Sequence, residues 1–170
     1  MTRPLAALLA FLLVGCWVGG DFYTAADLRQ PIPPGTYRLS FDAADPSTLR
    51  IWNGADGYTH STVEGERVRP GRTGFAPLDA EGRLFAAWAV QESDREVAPT
   101  SYVLFGRMDD GNFAIVFPRC DGVGGYPAGA DTEWARGVCR FSTRAALEDA
   151  LRSLAPRLAQ GATLTLVAAP

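Results

Sequence analysis

From Thr36 onward the chain alternates apolar and polar residues in short runs broken by turns, a pattern of β-structure. In Thr36–Phe41, Tyr37, Leu39 and Phe41 share one face. A second strand is predicted at Thr48–Asn53, followed by a turn over Asn53–Gly57. Gly57–Val63 is polar and β-branched, as an edge or solvent-facing strand would be. Phe75–Leu78 reads as a short strand, and Pro77 favours an edge position. The runs Arg83–Gln91, Ser101–Met108 and Asn112–Pro118 are apolar on both faces, so both faces need cover. In the first of them Leu84, Ala86, Trp88 and Val90 lie opposite Phe85, Ala87 and Ala89. Asp109–Asn112 joins the other two runs as a hairpin.

Further along, Leu147, Ala150, Leu151, Leu154 and Leu158 form one apolar helical stripe behind a Ser142 or Thr143 cap. Glu148 and Arg152 make a favourable i, i+4 pair on its outer side, and Pro156 kinks or ends the helix. Short strands follow from the pattern at Val138–Phe141 and Thr163–Val167. The fold expected is α+β: an antiparallel β-meander sheet with one C-terminal amphipathic helix packed on it. A small closed β-barrel plus helix is the alternative.

The first residues differ in kind. Met1–Pro4 carries one positive charge, Leu5–Val14 is uninterrupted apolar chain, and Gly15-Cys16 follows. This is the layout of a secretory signal peptide. Ten apolar residues rise about 15 Å as a helix, half of a ~30 Å hydrocarbon core, and are too short to span it. Leu13-Val14-Gly15-Cys16 resembles the lipobox of bacterial lipoproteins. The resemblance implies cleavage before Cys16 and a lipid on its sulfur. It implies a signal peptide over 1–15 and, because Trp17 rather than Asp follows the Cys, a bacterial cell-envelope location at the outer membrane, facing the periplasm. Each buried acyl CH₂ contributes ~0.8 kcal/mol to holding such an anchor in the bilayer.

With Cys16 taken by lipid, Cys120 and Cys139 remain as a pair in an oxidising compartment, where a disulfide is the default. Neither a C-x-x-C spacing nor neighbouring His favours a redox or metal pair. Gly19-Gly20 and Pro31–Gly35 break regular structure, so 16–35 reads as a lipid-anchored tether and 36–170 as a single globular domain.

The 170-residue chain is 47% hydrophobic with net charge −3, which suits a globular domain. All 16 basic residues are Arg, scattered among acidic ones, so nucleic acid is not an expected partner. His60, the single histidine, sits in a polar strand where solvation explains it; a hydrolase would have to use it. Asp109 and Asp110 are accounted for by turn chemistry. Asp121, Asp131 and Glu133 border the Gly-rich loop 121–137 as possible oxygen ligands, but without EF-hand spacing. Gly122-Val-Gly-Gly125 lacks the strand–loop–helix setting of a phosphate loop. Trp88 reads as core packing, whereas Tyr126 and Trp134, in the loop that the disulfide would staple, are candidates for contacting a partner.

The function expected is non-enzymatic: an envelope lipoprotein, held to the lipid bilayer through Cys16, that binds a protein partner or supports an envelope assembly. No cofactor and no metal is expected. A small apolar-ligand carrier, which needs a hollow barrel, and an envelope hydrolase using His60 are the alternatives.

Overall fold

The computed structural model describes residues 17–41, 46–65, 70–90, 100–120, 127–133 and 137–168, with the side chains of Thr132, Glu133 and Ala168 excepted. Cys16, Asp121, Tyr126 and Trp134 lie outside the described residues.

The strands are β1 (Trp17–Gly19), β2 (Gly35–Ser40), β3 (Ser47–Asn53), β4 (Thr59–Val63), β5 (Gly71–Pro77), β6 (Leu84–Ala89), β7 (Thr100–Ser101), β8 (Val103–Arg107), β9 (Phe113–Val116), β10 (Ala130–Glu133), β11 (Val138–Phe141) and β12 (Ala162–Ala168). The one α-helix among the described residues, α1, spans Arg144–Ser153, and a 3-10 helix follows over Ala155–Gln160.

The meander does not stay open. β12 pairs with β2 on one side and β9 on the other, closing an eight-stranded antiparallel barrel in the order β12-β2-β3-β4-β5-β6-β8-β9. The alternative of a barrel plus helix is therefore the one observed, and the open sheet is corrected. The sequence shows strands and turns but not whether the last strand reaches the first. Closure depends on β12 returning across the gap after α1, a contact between residues more than a hundred positions apart.

Closure sorts the side chains into two cores. Tyr37, Leu39, Leu49, Ile51, Phe75, Phe85, Phe105 and Phe113 point inward and form one buried cluster. On β2 to β4 the outward positions are half-buried or exposed, including Arg38 and Arg50. An apolar interior behind a polar outer face is the reverse of a membrane-spanning barrel. On β5, β6, β8 and β9 the outward residues Ala76, Ala86, Trp88, Leu104 and Val116 join a second cluster outside the barrel. That outer cluster is roofed by Leu147, Leu151 and Leu154 of the helical segment and by Phe141 of β11. The strands expected to need cover on both faces have it.

Helix α1 starts where its cap chemistry allows. The Thr143 hydroxyl accepts from the Ala146 N–H at 3.3 Å. Pro156, lacking an N–H, stands near the start of the 3-10 helix that continues the chain. There Leu158 presses on β8 at Gly106, where an added Cβ would come within 2.7 Å of the Leu158 side chain. Glycine at this position is what lets the 3-10 helix lie close to the barrel.

Residues 17–35, expected as part of a lipid-anchored tether over 16–35, pack against the rest of the domain. Trp17, Val18, Leu28 and Ile32 are buried. β1 is an inner strand of a four-stranded sheet ordered β10-β11-β1-β7, parallel to β11 and antiparallel to β7. The next residues run as a strap over the barrel. The Tyr102 hydroxyl donates to the Gly20 carbonyl at 2.7 Å, and the Arg29 N–H donates to the Phe75 carbonyl at 2.9 Å. The Gln30 carboxamide donates to the carbonyls of Gly54 and Tyr58. Tyr23 stacks on Trp88 with ring centres 4.9 Å apart. The glycines and prolines prevent long regular structure here, but they do not prevent packing.

Candidate functional site

The barrel interior is nearly full. Phe105 stands against Phe75, Phe85 and Phe113, and Phe113 against Tyr37. Eight strands enclose a space that side chains just fill or that holds one small ligand. A cavity of about 40 Å³ remains, lined by Leu39, Leu49, Ile51, Phe75 and three hydroxyl residues, Thr59, Ser61 and Thr73. It has room for water but falls well below the volume of a lipid or ring-sized ligand. The carrier reading needs a larger space than the described side chains leave. Strand register explains the hydroxyls: on β4, Thr59 and Ser61 alternate inward, while His60 and Thr62 face out. The hydroxyl oxygens of Thr59 and Ser61 are buried without a protein partner, and a bridging water in the cavity would satisfy them.

His60 lies outside the barrel, on the same face as its strand neighbours Trp52 and Arg72. Its Nε2 is 3.1 Å from Asp56 Oδ1, and its ring stacks on Trp52 at 5.6 Å. The hydrogen bond from His60 holds the Asp56 carboxyl below its ordinary pKa, with Arg72 adding to the effect. An Asp–His pair is two parts of a nucleophilic triad. The hydroxyl next in sequence, on Ser61, points into the barrel and away from the pair. The described residues thus bring His60 together with a carboxylate, an indole and a guanidinium but not with a nucleophile, and the hydrolase reading lacks that convergence.

Two of the acidic candidates, Asp109 and Asp110, resolve into local chemistry. Asp110 accepts from the backbone N–H of Asn112 at 2.9 Å, which lowers its pKa, and Asp109 pairs with Arg83. Asp131 is exposed on β10. Trp88, read as packing, is buried in the outer core.

The Cys120–Cys139 disulfide is formed, with Cα atoms 5.6 Å apart. It does more than close a loop. Cys139 is the strand partner of Trp17, and the Trp17 indole N–H donates to the carbonyl of Arg119, the residue before Cys120, at 3.1 Å. The disulfide, strand β1 and the end of the β9 segment therefore meet at one place. β10 is an outer strand of the small sheet, so one row of its backbone groups faces away from the ladder.

The strap is clamped on the far side of the outer core. Arg144 of α1 reaches Asp27 at 2.9 Å and Glu148 at 2.7 Å and lies over the Tyr23 ring. The Asp27 carboxyl accepts from the Thr24 backbone N–H and from Arg144, which pulls its pKa down to about 2. Burial pushes Tyr102 up to about 12 and raises Tyr23 as well. These phenols stay neutral and serve as packed hydrogen-bonding groups.

Sequence reasoning missed this strap and its aromatic contacts. The signal was present in the aromatic pair Phe22-Tyr23 and the apolar residues Leu28 and Ile32. No family model, curated protein or solved structure matches the chain.

Proposed function

We propose that the chain is a cell-envelope lipoprotein, anchored through Cys16, whose barrel is a rigid non-catalytic scaffold for a protein partner. The burial of Trp17 in β1 is the observation that carries the anchor. A signal-peptide cut after the small residues Gly19 and Gly20 would remove a strand that pairs with both β7 and β11. The body needs a mature chain that still includes Trp17, and a cut before Cys16 leaves it intact. With residues 17–35 packed, the anchor also has no slack, and the domain would sit directly on the membrane surface that the Trp17-side sorting signal selects, the outer membrane on its periplasmic side.

The nearly full barrel, and a His60 that has no nucleophile beside it among the described residues, favour a binding role over carriage or hydrolysis. The contact proposed is the segment between Cys120 and Cys139, which carries Tyr126 and Trp134 and includes the outer strand β10. A partner strand could extend such an edge through main-chain hydrogen bonds.

Mass spectrometry of the mature N-terminus tests the anchor: a diacylglyceryl group on Cys16 is expected. A Cys16→Ser protein should lack that mass and keep residues 1–15, and a chain cut before position 16 without lipid would sink the anchor. For the contact, the Tyr126→Ala/Trp134→Ala protein should lose its co-purifying partner at an unchanged melting temperature. An unchanged pull-down would remove the loop from the proposal.

A further inference from the structure

We propose that a groove beside the anchor binds the phosphate headgroup of an anionic membrane phospholipid; this rests on the lipid-anchor reading and extends it. The groove has a volume of about 240 Å³ and lies where β9 and β12 meet the 3-10 helix. Arg119, Arg157 and Gln160 supply its polar groups, and Phe41 and Phe117, with ring centres 5.9 Å apart, form an apolar wall. None of the described residues lining it is acidic.

Position decides between an arbitrary basic groove and a headgroup site. The carbonyl of Arg119 holds the Trp17 indole, and Trp17 directly follows Cys16. Because β1 is locked between β7 and β11, no tether lifts this side of the domain away from acyl chains on Cys16. The groove would then lie at the depth of the phosphates. Guanidinium groups match a phosphate's oxygens in pairs, and an aromatic wall suits the glyceryl and first acyl carbons beneath it. The chain as a whole has net charge −3, so an anionic bilayer repels its average surface. Any preference for anionic lipid must come from a local site such as this one.

The test uses the mature chain from position 16, made without residues 1–15 and carrying Cys16→Ser, which separates headgroup binding from the covalent anchor and from the apolar segment Leu5–Val14. Its binding to phosphatidylglycerol vesicles should exceed its binding to phosphatidylcholine vesicles. Adding Arg119→Gln and Arg157→Gln should reduce phosphatidylglycerol binding by about 25-fold, about fivefold for each arginine near the surface. Both side chains are exposed, and an unchanged melting temperature checks the fold. Arg157→Gln alone, on the surface of the 3-10 helix, should give about fivefold and serves if the double variant unfolds. Equal binding to the two vesicle types, or no loss in either variant, overturns the proposal. Release from phosphatidylglycerol by millimolar inorganic phosphate, with no dependence on vesicles, identifies a simple anion site and also overturns it. The mass of the mature N-terminus reports the anchor separately: a lipidated chain without phosphatidylglycerol preference keeps the anchor and loses the groove.

Discussion

Inside the barrel, Phe75, Phe85, Phe105 and Phe113 meet across strands that mostly follow one another in sequence. Outside it, Trp17 reaches Arg119 and Phe141, while Tyr23 reaches Trp88 and Glu148. The inner core is the product of alternation within successive hairpins. The outer core brings together the N-terminal strap, the stapled sheet, α1 and the back of four barrel strands. Both cores bury aromatic side chains, but they use different chemistry at their edges. The inner core ends in hydroxyls around a small cavity. The outer one is clamped by ions, with Arg144 between Asp27 and Glu148 and Arg152 donating to the Leu78 carbonyl and to Glu148. Successive hairpins and the closing strand β12 make the first, and covalent and charged fasteners help hold the second.

The sharpest way to probe this contrast is to truncate one aromatic in each core. Phe105→Ala should cost about 3–5 kcal/mol in urea unfolding, since the ring is fully enclosed and its neighbours belong to a closed sheet. Trp17→Ala should cost about 3 kcal/mol and also leaves the Arg119 carbonyl without its donor. A loss under about 0.5 kcal/mol at Trp17 would mean that the strap is a tether after all, because surface changes fall in that range.

Gly106→Ala probes the seam between barrel and outer layer. The new methyl meets Leu158, so overpacking of about 1–3 kcal/mol is expected, read as a lowered melting temperature. Adding Leu158→Ala should give back part of the Gly106→Ala loss, whereas two independent sites would simply add.

The smallest effect should come from the ionic clamp. The Arg144 side chain is 41% exposed, so solvent screening limits Asp27→Asn to about 1 kcal/mol or less. Its pH signature is more informative. The folded-state pKa of Asp27 is depressed, so its contribution is present above the unfolded value near 4. That contribution is lost as pH falls from about 4 toward about 2. Urea melts of wild type and Asp27→Asn should therefore differ at pH 6 and converge by about pH 2. A constant difference across that window would show that the clamp acts by packing and not by charge.

Much of the barrel was legible. The alternation of Tyr37, Leu39 and Phe41, the two faces of Leu84–Ala89 and the Asp109–Asn112 turn each follow from a period of two and from turn chemistry. The helix was legible from its stripe and its Thr143 cap. The span of β5 was read too short, because Gly71–Gly74 carries little hydrophobic signal. Gly74 faces outward there, making room for the Trp88 indole. The packing of the strap is not legible in the sequence, because glycine and proline exclude regular hydrogen-bonded repeats and say nothing of burial. Of the candidate sites, the disulfide followed from counting cysteines. The groove at Arg119 and Arg157 did not, since its residues are scattered along the chain from Phe41 to Ala162.

By itself, the sequence determined where the main turns fall, which side chains avoid water on the strongly apolar strands, which cysteines pair and where a lipobox-like motif stands. Those properties depend on neighbours within a few residues, or on the small number of cysteines. Only the tertiary structure decided that the meander closes, that Ser61 faces away from His60, and that Trp17 is locked beside Cys139. Closure, facing and docking are set by contacts between distant segments, whose energies come from complementary shape and burial and leave no periodic trace along the chain.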